Sequence, residues 1–179
     1  FALGAKSLSA ALQAAARQGN ASAAEMIFRK LAILGSSNLD CRNLLLLAFA
    51  NAGSPLQASN CLEQLKADGL EPDRFSFRHV LRSCTEAGAT RHAELWFNKM
   101  ISAKAEVGSL EYNLILRACA KHGEGRRAIA WISRMAAASE DPDTFSFNAV
   151  LSAHAAEGNK ESALHLLESM EDGLTGSLP

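Results

Sequence analysis

The side chains best able to do chemistry in this sequence are five histidines (His79, His92, His122, His154, His165) and four cysteines (Cys41, Cys61, Cys84, Cys119). A zinc protease helix needs two histidines one turn apart with a glutamate beside the first, and a zinc ribbon needs closely paired cysteines. Neither spacing occurs: there is no HExxH and no CxxC, and no histidine pairs with a cysteine at ligand spacing. The GxGxxG and P-loop glycine patterns and the GxSxG elbow are missing as well. The sequence therefore predicts no enzyme, no metal and no cofactor. His154 and Glu157 stand three apart, but the glutamate lies where a helix ends and reads as a terminus rather than a general base. The scattered cysteines predict buried thiols in a reduced compartment, with no disulfide framework.

What must position any functional side chains follows from composition and repetition. A chain of 179 residues, 48% hydrophobic and 21% charged, suits one domain. The net charge of −1 gives no global basic field. The longest apolar run, Leu44 to Ala50, is far too short to cross a bilayer, so no membrane insertion is expected. Twelve Gly and four Pro are too few for a disordered or linker-rich chain. The chain starts at Phe1 without Met and shows no Arg/Ser-rich leader. Its blunt start and its Gly/Ser-rich end, Gly173 to Pro179, are expected of a piece of a longer array, or of ends buried on a partner.

The chain is a repeat. Units begin at Ala5, Leu39, Arg74, Ser109 and Thr144 and cover 5–38, 39–73, 74–108, 109–143 and 144–178, with residues 1–4 and 179 flanking. The eighth residue is always leucine (Leu12, Leu46, Leu81, Leu116, Leu151) and the fifteenth always glycine (Gly19, Gly53, Gly88, Gly123, Gly158). Alanine follows five residues later each time: Ala24, Ala58, Ala93, Ala128, Ala163. Apolar residues at helical spacing, such as Phe77, Val80, Leu81 and Cys84, predict a first helix that stops at the glycine. A second helix follows, with Ala93, Trp96, Phe97 and Met100 inward in the third unit and Ala128, Trp131, Ile132 and Met135 in the fourth. The alanine marks close approach of the two helices, and Glu71-Pro72-Asp73 and Asp141-Pro142-Asp143 close units. No stretch alternates as a strand does. A two-helix unit cannot bury its apolar face alone, so the units must stack into an all-α solenoid of about ten helices.

A hairpin near 34 residues is also the tetratricopeptide length, but that pattern wants a Trp early in the first helix and a Gly beside its central leucine. Those columns here hold Leu8, Arg42, Phe77, Tyr112 and Phe147, then Gln13, Leu47, Arg82, Arg117 and Ser152. The run Glu111-Tyr112-Asn113-Leu114-Ile115, with Gly123, Ala128, Met135 and Pro142-Asp143, instead resembles the pentatricopeptide repeat. Ser146-Phe147-Asn148-Ala149-Val150-Leu151, with Gly158, Ala163 and Met170, is as close. The resemblance covers 5–178 and implies a right-handed α-solenoid that binds single-stranded RNA, about one base per unit. It further implies a chloroplast or mitochondrial setting and a role in RNA processing, stability or translation.

The resemblance assigns base choice to the fifth and last residues of each unit. The pairs are Ser9 with Asn38, Asn43 with Asp73, Arg78 with Gly108, and Asn113 with Asp143; Asn148 would pair near Leu178. Asn–Asp is similar to the family's uracil reader and Ser–Asn to its adenine reader, and the Arg78 unit matches neither. The implied register is A-U-N-U-Y. Phe75, Leu110 and Phe145 fall in the column that sandwiches bases, and Arg17 and Lys121 in the column that reaches phosphate. Asp73 and Asp143 are equally expected as plain helix caps.

Other columns depart from the family. Lys6 and Asp40 are not apolar, and Asn51, Glu86 and Ala156 are not basic. The units carry +3, −3, +3, 0 and −4, so phosphate binding should be weak and salt-sensitive. The alternative is a scaffold subunit of a large organellar assembly such as a ribosome. The acidic stretch Glu161, Glu168, Glu171 and Asp172 would then be a rim for a basic protein partner. The HxE and PCxxC elements of the zinc deaminases found in some plant relatives are absent.

Overall fold

The computed structural model describes residues 4–171, with side chains as far as Leu167. The expected unit end at Leu178, the flanking residues 1–3 and 179, Asp172 and the side chains of Glu168, Met170 and Glu171 lie outside the described residues. Those residues form ten helices and no strand: α1 (Ala5–Arg17), α2 (Ala21–Ile33), α3 (Leu39–Asn51), α4 (Pro55–Ala67), α5 (Arg74–Glu86), α6 (Thr90–Ser102), α7 (Ser109–His122), α8 (Gly125–Ala137), α9 (Thr144–Glu157) and α10 (Lys160–Glu171).

The helix starts follow from capping chemistry. The side chains of Asn38, Asp73 and Asp143 accept the N–H of the third residue of α3, α5 and α9, satisfying donors that a helix cannot satisfy itself. Before α7 the cap is Gly108, which has no side chain. Glu111 supplies the carboxylate instead, its Oε2 accepting the Gly108 N–H at 2.9 Å.

The helix ends show two glycine effects. The repeated column, Gly19 to Gly158, sits at φ between 61° and 76°, left-handed backbone that costs other residues about 1 kcal/mol or more. Two of these glycines also let neighbouring first helices close up. A Cβ on Gly19 would stand 3.2 Å from Asn51, and one on Gly123 would stand 3.1 Å from the Glu157 nitrogen. A second left-handed column closes the second helices at Gly35 and Gly69, yet at the same register stand Lys104 (φ 55°) and Ser139 (φ 60°).

The chain divides after Glu106 into two compact units. In the first, α1 packs on α3 and α3 on α5, while α2 and α4 each lie against the first helix of their own hairpin and of the next. In the second, α7 packs on α9, α8 bridges both, and α10 lies on α9. Ala24, Ala58, Ala93 and Ala128 are fully buried where paired helices meet. Trp96 and Trp131 are 2% and 6% exposed. Trp96 donates from Nε1 to Ser59 Oγ at 2.8 Å, tying α6 to α4. Asn51 donates to the Ala16 carbonyl at 2.7 Å and so ties α3 to α1, a use that accounts for its not being basic. The column of leucines predicts burial in every hairpin, yet Leu151 is only half-buried, as are Phe147 and Ala163. Among the described residues no further first helix lies beyond α9 to cover that flank.

Among the described residues no helix is long and apolar enough to cross a membrane. No group of three His, Cys, Asp or Glu is placed to hold a metal there.

Truncating Trp131 to Ala removes a buried aromatic and leaves a cavity, so urea denaturation should show a loss of about 3–5 kcal/mol. Lys104→Gly and Ser139→Gly should each raise stability, by about 0.5–1 kcal/mol after the added chain entropy of glycine is subtracted. An unchanged or lowered urea midpoint in both glycine variants would contradict the strain assigned to these positions.

Candidate nucleic-acid interface

The stacking of first helices brings the fifth residue of one unit to the cap of the next first helix. On α3, Asn43 donates from Nδ2 to the Asp73 carboxylate, at 3.1 and 3.3 Å from its two oxygens. The Asn43 Oδ1 accepts from the Ser76 hydroxyl at 2.7 Å. Asp73 in turn accepts the Ser76 N–H at 2.8 Å. The second compact unit repeats the arrangement. Asn113 Nδ2 lies 3.4 Å from both Asp143 oxygens, Ser146 donates to Asn113 Oδ1 at 2.7 Å, and Asp143 accepts the Ser146 N–H at 2.8 Å.

This triad fixes the amide. Turning it over would set a carbonyl oxygen against a carboxylate, so the nitrogen faces Asp and the oxygen faces Ser. Each asparagine then has one N–H and one oxygen lone pair outside the triad, Asn43 being half-buried and Asn113 only 8% exposed. Sequence reasoning missed the two serines. The signal was there, since both stand three residues after a Pro-Asp, the N3 position of a capping box.

The other paired positions differ. Among the described residues Ser9 and Asn38 form no triad. The Ser9 hydroxyl donates to its own helix at Ala5 O, 3.0 Å away, and the Asn38 Oδ1 accepts the Cys41 N–H at 3.0 Å. The third-column residue there is Cys41, whose thiol donates to Ser36 O at 3.7 Å. Arg78 spreads its guanidinium over the Phe75 ring, 5.6 Å from its centroid. Gly108, in the other compact unit, has no side chain, and its N–H is held by Glu111. Asn148 is exposed on α9, and its companion near Leu178 lies outside the described residues.

On the described first helices, large apolar side chains are exposed at three positions, and these are the second-residue column: Phe75 at 57%, Leu110 at 55% and Phe145 at 50%. In each triad an exposed phenylalanine stands between the aspartate and the serine, Phe75 between Asp73 and Ser76 and Phe145 between Asp143 and Ser146. Lys6 and Asp40 occupy the same column in the first two hairpins and are exposed as well. Arg17 and Lys121 lie exposed in the last turns of α1 and α7. Two further cations that sequence reasoning passed over, Arg82 and Arg117, are exposed four residues after Arg78 and Asn113. A helix places i and i+4 on one face, so their spacing was the available signal.

Electrostatics mark two groups. The Ser146 N–H that Asp143 accepts holds its carboxyl below the usual carboxylate range, against a small cost of burial, and the Ser146 hydroxyl and Asn113 amide add to the effect. On α5, burial pushes His79 down to about 4, helped by the Arg82 and Arg78 cations. Both shifts have the same sign for folding, because the unfolded chain takes up the proton first as pH falls. The His79 contribution is present above about pH 6.5 and is lost as pH falls toward about 4, by about 2–3 kcal/mol. The Asp143 contribution is lost at lower pH, below the ordinary aspartate range of about 3.9. Chemical denaturation followed against pH should show His79→Leu flattening the upper window and Asp143→Asn the lower one. Identical pH profiles for wild type and both variants would contradict these environments.

A family model described as pentatricopeptide repeat-containing protein matches residues 7–135, and a model of the PPR repeat matches residues 145–173. A chloroplastic pentatricopeptide repeat-containing protein of Arabidopsis thaliana is 37% identical over 62 residues, 35% of this chain and 11% of its own length. A second protein of that description from the same plant is 30% identical over 91 residues, 51% of this chain and 16% of its own. The chain thus spans only a small part of these curated relatives. Among solved structures, the maize pentatricopeptide repeat protein PPR10 in complex with an 18-nucleotide psaJ RNA element aligns with a TM-score of 0.80 at 20% identity, covering 96% of this chain and 26% of that one. The PPR domain of an Arabidopsis thaliana protein-only RNase P in complex with tRNA aligns with a TM-score of 0.70 at 16% identity, covering 93% and 89%. These likenesses identify the fold as an all-α solenoid of helical hairpins. With most of its length matched by the family model and its hairpins folded as the solved relatives fold theirs, the chain belongs to the pentatricopeptide repeat family.

Proposed function

We propose that this chain is a single-stranded RNA-binding module, a binder rather than a catalyst, serving organellar RNA processing, stability or translation. The observation that carries the reading is the repeated Asn–Asp–Ser triad beside an exposed phenylalanine. Uracil offers a ring N–H flanked by two carbonyl oxygens. An amide with one N–H and one lone pair left over meets two neighbouring groups of that edge. The exposed ring column supplies the stacking surface, which contributes about 1–3 kcal/mol per base. The maize relative solved with RNA is consistent with this use of the fold.

In this reading Asn43 with Asp73 and Asn113 with Asp143 take uracil, Ser9 with Asn38 takes adenine, and Asn148 takes a pyrimidine. The Arg78 unit accepts any base. Phe75, Leu110 and Phe145 stack, and Arg17 and Lys121 meet phosphates, joined by Arg82 and Arg117. The units as delimited from the sequence, 5–38 to 144–178, are the one-base modules of the array.

Fluorescence anisotropy at low salt should show the pentamer AUCUU binding more tightly than an all-G pentamer. Asn113→Ala should reduce that preference by about 1–3 kcal/mol, and added salt should weaken both. Equal binding of the two pentamers, or absence of both, in the chain with whatever repeats flank it would favour the scaffold reading.

A further inference from the structure

Along α5 arginine recurs every fourth residue, at Arg74, Arg78 and Arg82. That spacing sets the three on one face of the helix, with about 6 Å of rise between one and the next. In the other four units the column of Arg74 holds Ala5, Leu39, Ser109 and Thr144, and that of Arg78 holds Ser9, Asn43, Asn113 and Asn148, all uncharged. The column of Arg82 is cationic in one other unit, at Arg117. The single carboxylate within α5 is Glu86, its last residue.

The three arginines are held differently. Arg74 is tied to Glu106 at 3.0 Å. Arg78 is half-buried, its guanidinium 5.6 Å from the Phe75 centroid, and Arg82 is exposed. Burial, and then the Arg82 and Arg78 cations, hold the His79 imidazole down to about 4, so both charges act at one place on the helix. The imidazole itself is neutral at pH 7 and adds no charge.

We propose that Arg78 grips the RNA backbone rather than a base, and that with Arg82 it forms a sequence-blind phosphate clamp at the third position of the array. The proposal rests on the RNA-binding reading above and supplies the physical reason that this unit accepts any base. Arg78 stands in the column of Asn43 and Asn113, but it cannot do what they do. A guanidinium is a donor only, and the paired column holds Gly108, which has no side chain to orient it. It therefore cannot match an edge that alternates donor and acceptor. A phosphodiester instead offers two charged oxygens, which a guanidinium meets with two parallel N–H···O bonds. Lying on a ring uses the flat face of the guanidinium and leaves its N–H edge, so Arg78 can hold a phosphate while it stays on Phe75. Guanine also presents two acceptors to an arginine, O6 and N7, but carries no charge to reward a second cation one turn away.

The test is fluorescence anisotropy with the full chain and AUCUU pentamers that carry an uncharged methylphosphonate at either linkage of the third nucleotide. One of the two neutral linkages should weaken binding about tenfold, and the difference should vanish in Arg78→Gln. Arg78→Gln should also reduce the slope of log affinity against log salt by about 0.7, and the double change with Arg82→Gln by about 1.4. Because Arg78 also packs on Phe75, Arg82→Gln alone gives a second reading, a fall of about 0.7 with that contact intact. Arg91→Gln, the same change of charge at an exposed position of α6, should leave the slope as it is. Replacing the third base by A, G or U should leave affinity nearly unchanged. A preference for guanine there that Arg78→Gln abolishes, or equal binding of charged and neutral linkages, would overturn the clamp and leave RNA binding standing. Binding of no pentamer at all would overturn the RNA-binding reading and the clamp with it.

Discussion

The close approach of neighbouring first helices is the constraint on which the other features rest. It is visible at Gly19 and Gly123, where even a methyl group would press on the next helix. A glycine is required there twice over, by its left-handed backbone and by the space it leaves. Because the helices meet at a fixed register, Asn43 reaches the cap of α5 and Asn113 the cap of α9. Slip that register by a residue and each asparagine would meet a different face of the next helix. The polar triads and the apolar stack are therefore one arrangement: packing sets the distance, and the hydrogen bonds set the angle of the amide.

The second helices carry a different logic. Their inner faces are filled by Ala, Leu, Met and two tryptophans, and Trp96 and Trp131 each pack on an aromatic ring of the first helix. In the second hairpin Arg42 and Cys61 stand in those two places, and Arg42 rests on Phe28 and pairs with Asp68. The second-residue column of the first helices varies at exposed positions, from Lys6 and Asp40 to Phe75, Leu110 and Phe145. The second hairpin varies within its packed interior, where an ion pair and a cation on a ring replace an aromatic pair.

Much of this was legible in the sequence because it depends on period. The 35-residue repeat, the glycine column and the caps at Asp73 and Asp143 are local, and local chemistry decides them. Burial was legible wherever a neighbouring hairpin exists, and misread at Leu151, whose outer flank no described helix covers. The column of Phe75, Leu110 and Phe145 was singled out by the family resemblance, whereas the parts played by Ser76 and Ser146 were not. A serine three residues into a helix looks like half of a capping box until the asparagine from the preceding hairpin is seen to bond it.

The placement of Asp73 carries a consequence for how such chains can be shuffled. It ends one repeat by sequence, caps the next by hydrogen bonding, and holds an asparagine that lies thirty residues back. The segment that folds as a hairpin, 39–73, and the segment that forms a complete triad, 43–76, are therefore out of phase by about one helical turn at each end. Swapping hairpins at their helix boundaries would divide every triad between donor and host. A transplant that keeps its polar geometry must instead run from the middle of one first helix to the first turn of the next, Asn43 to Ser76 or Asn113 to Ser146.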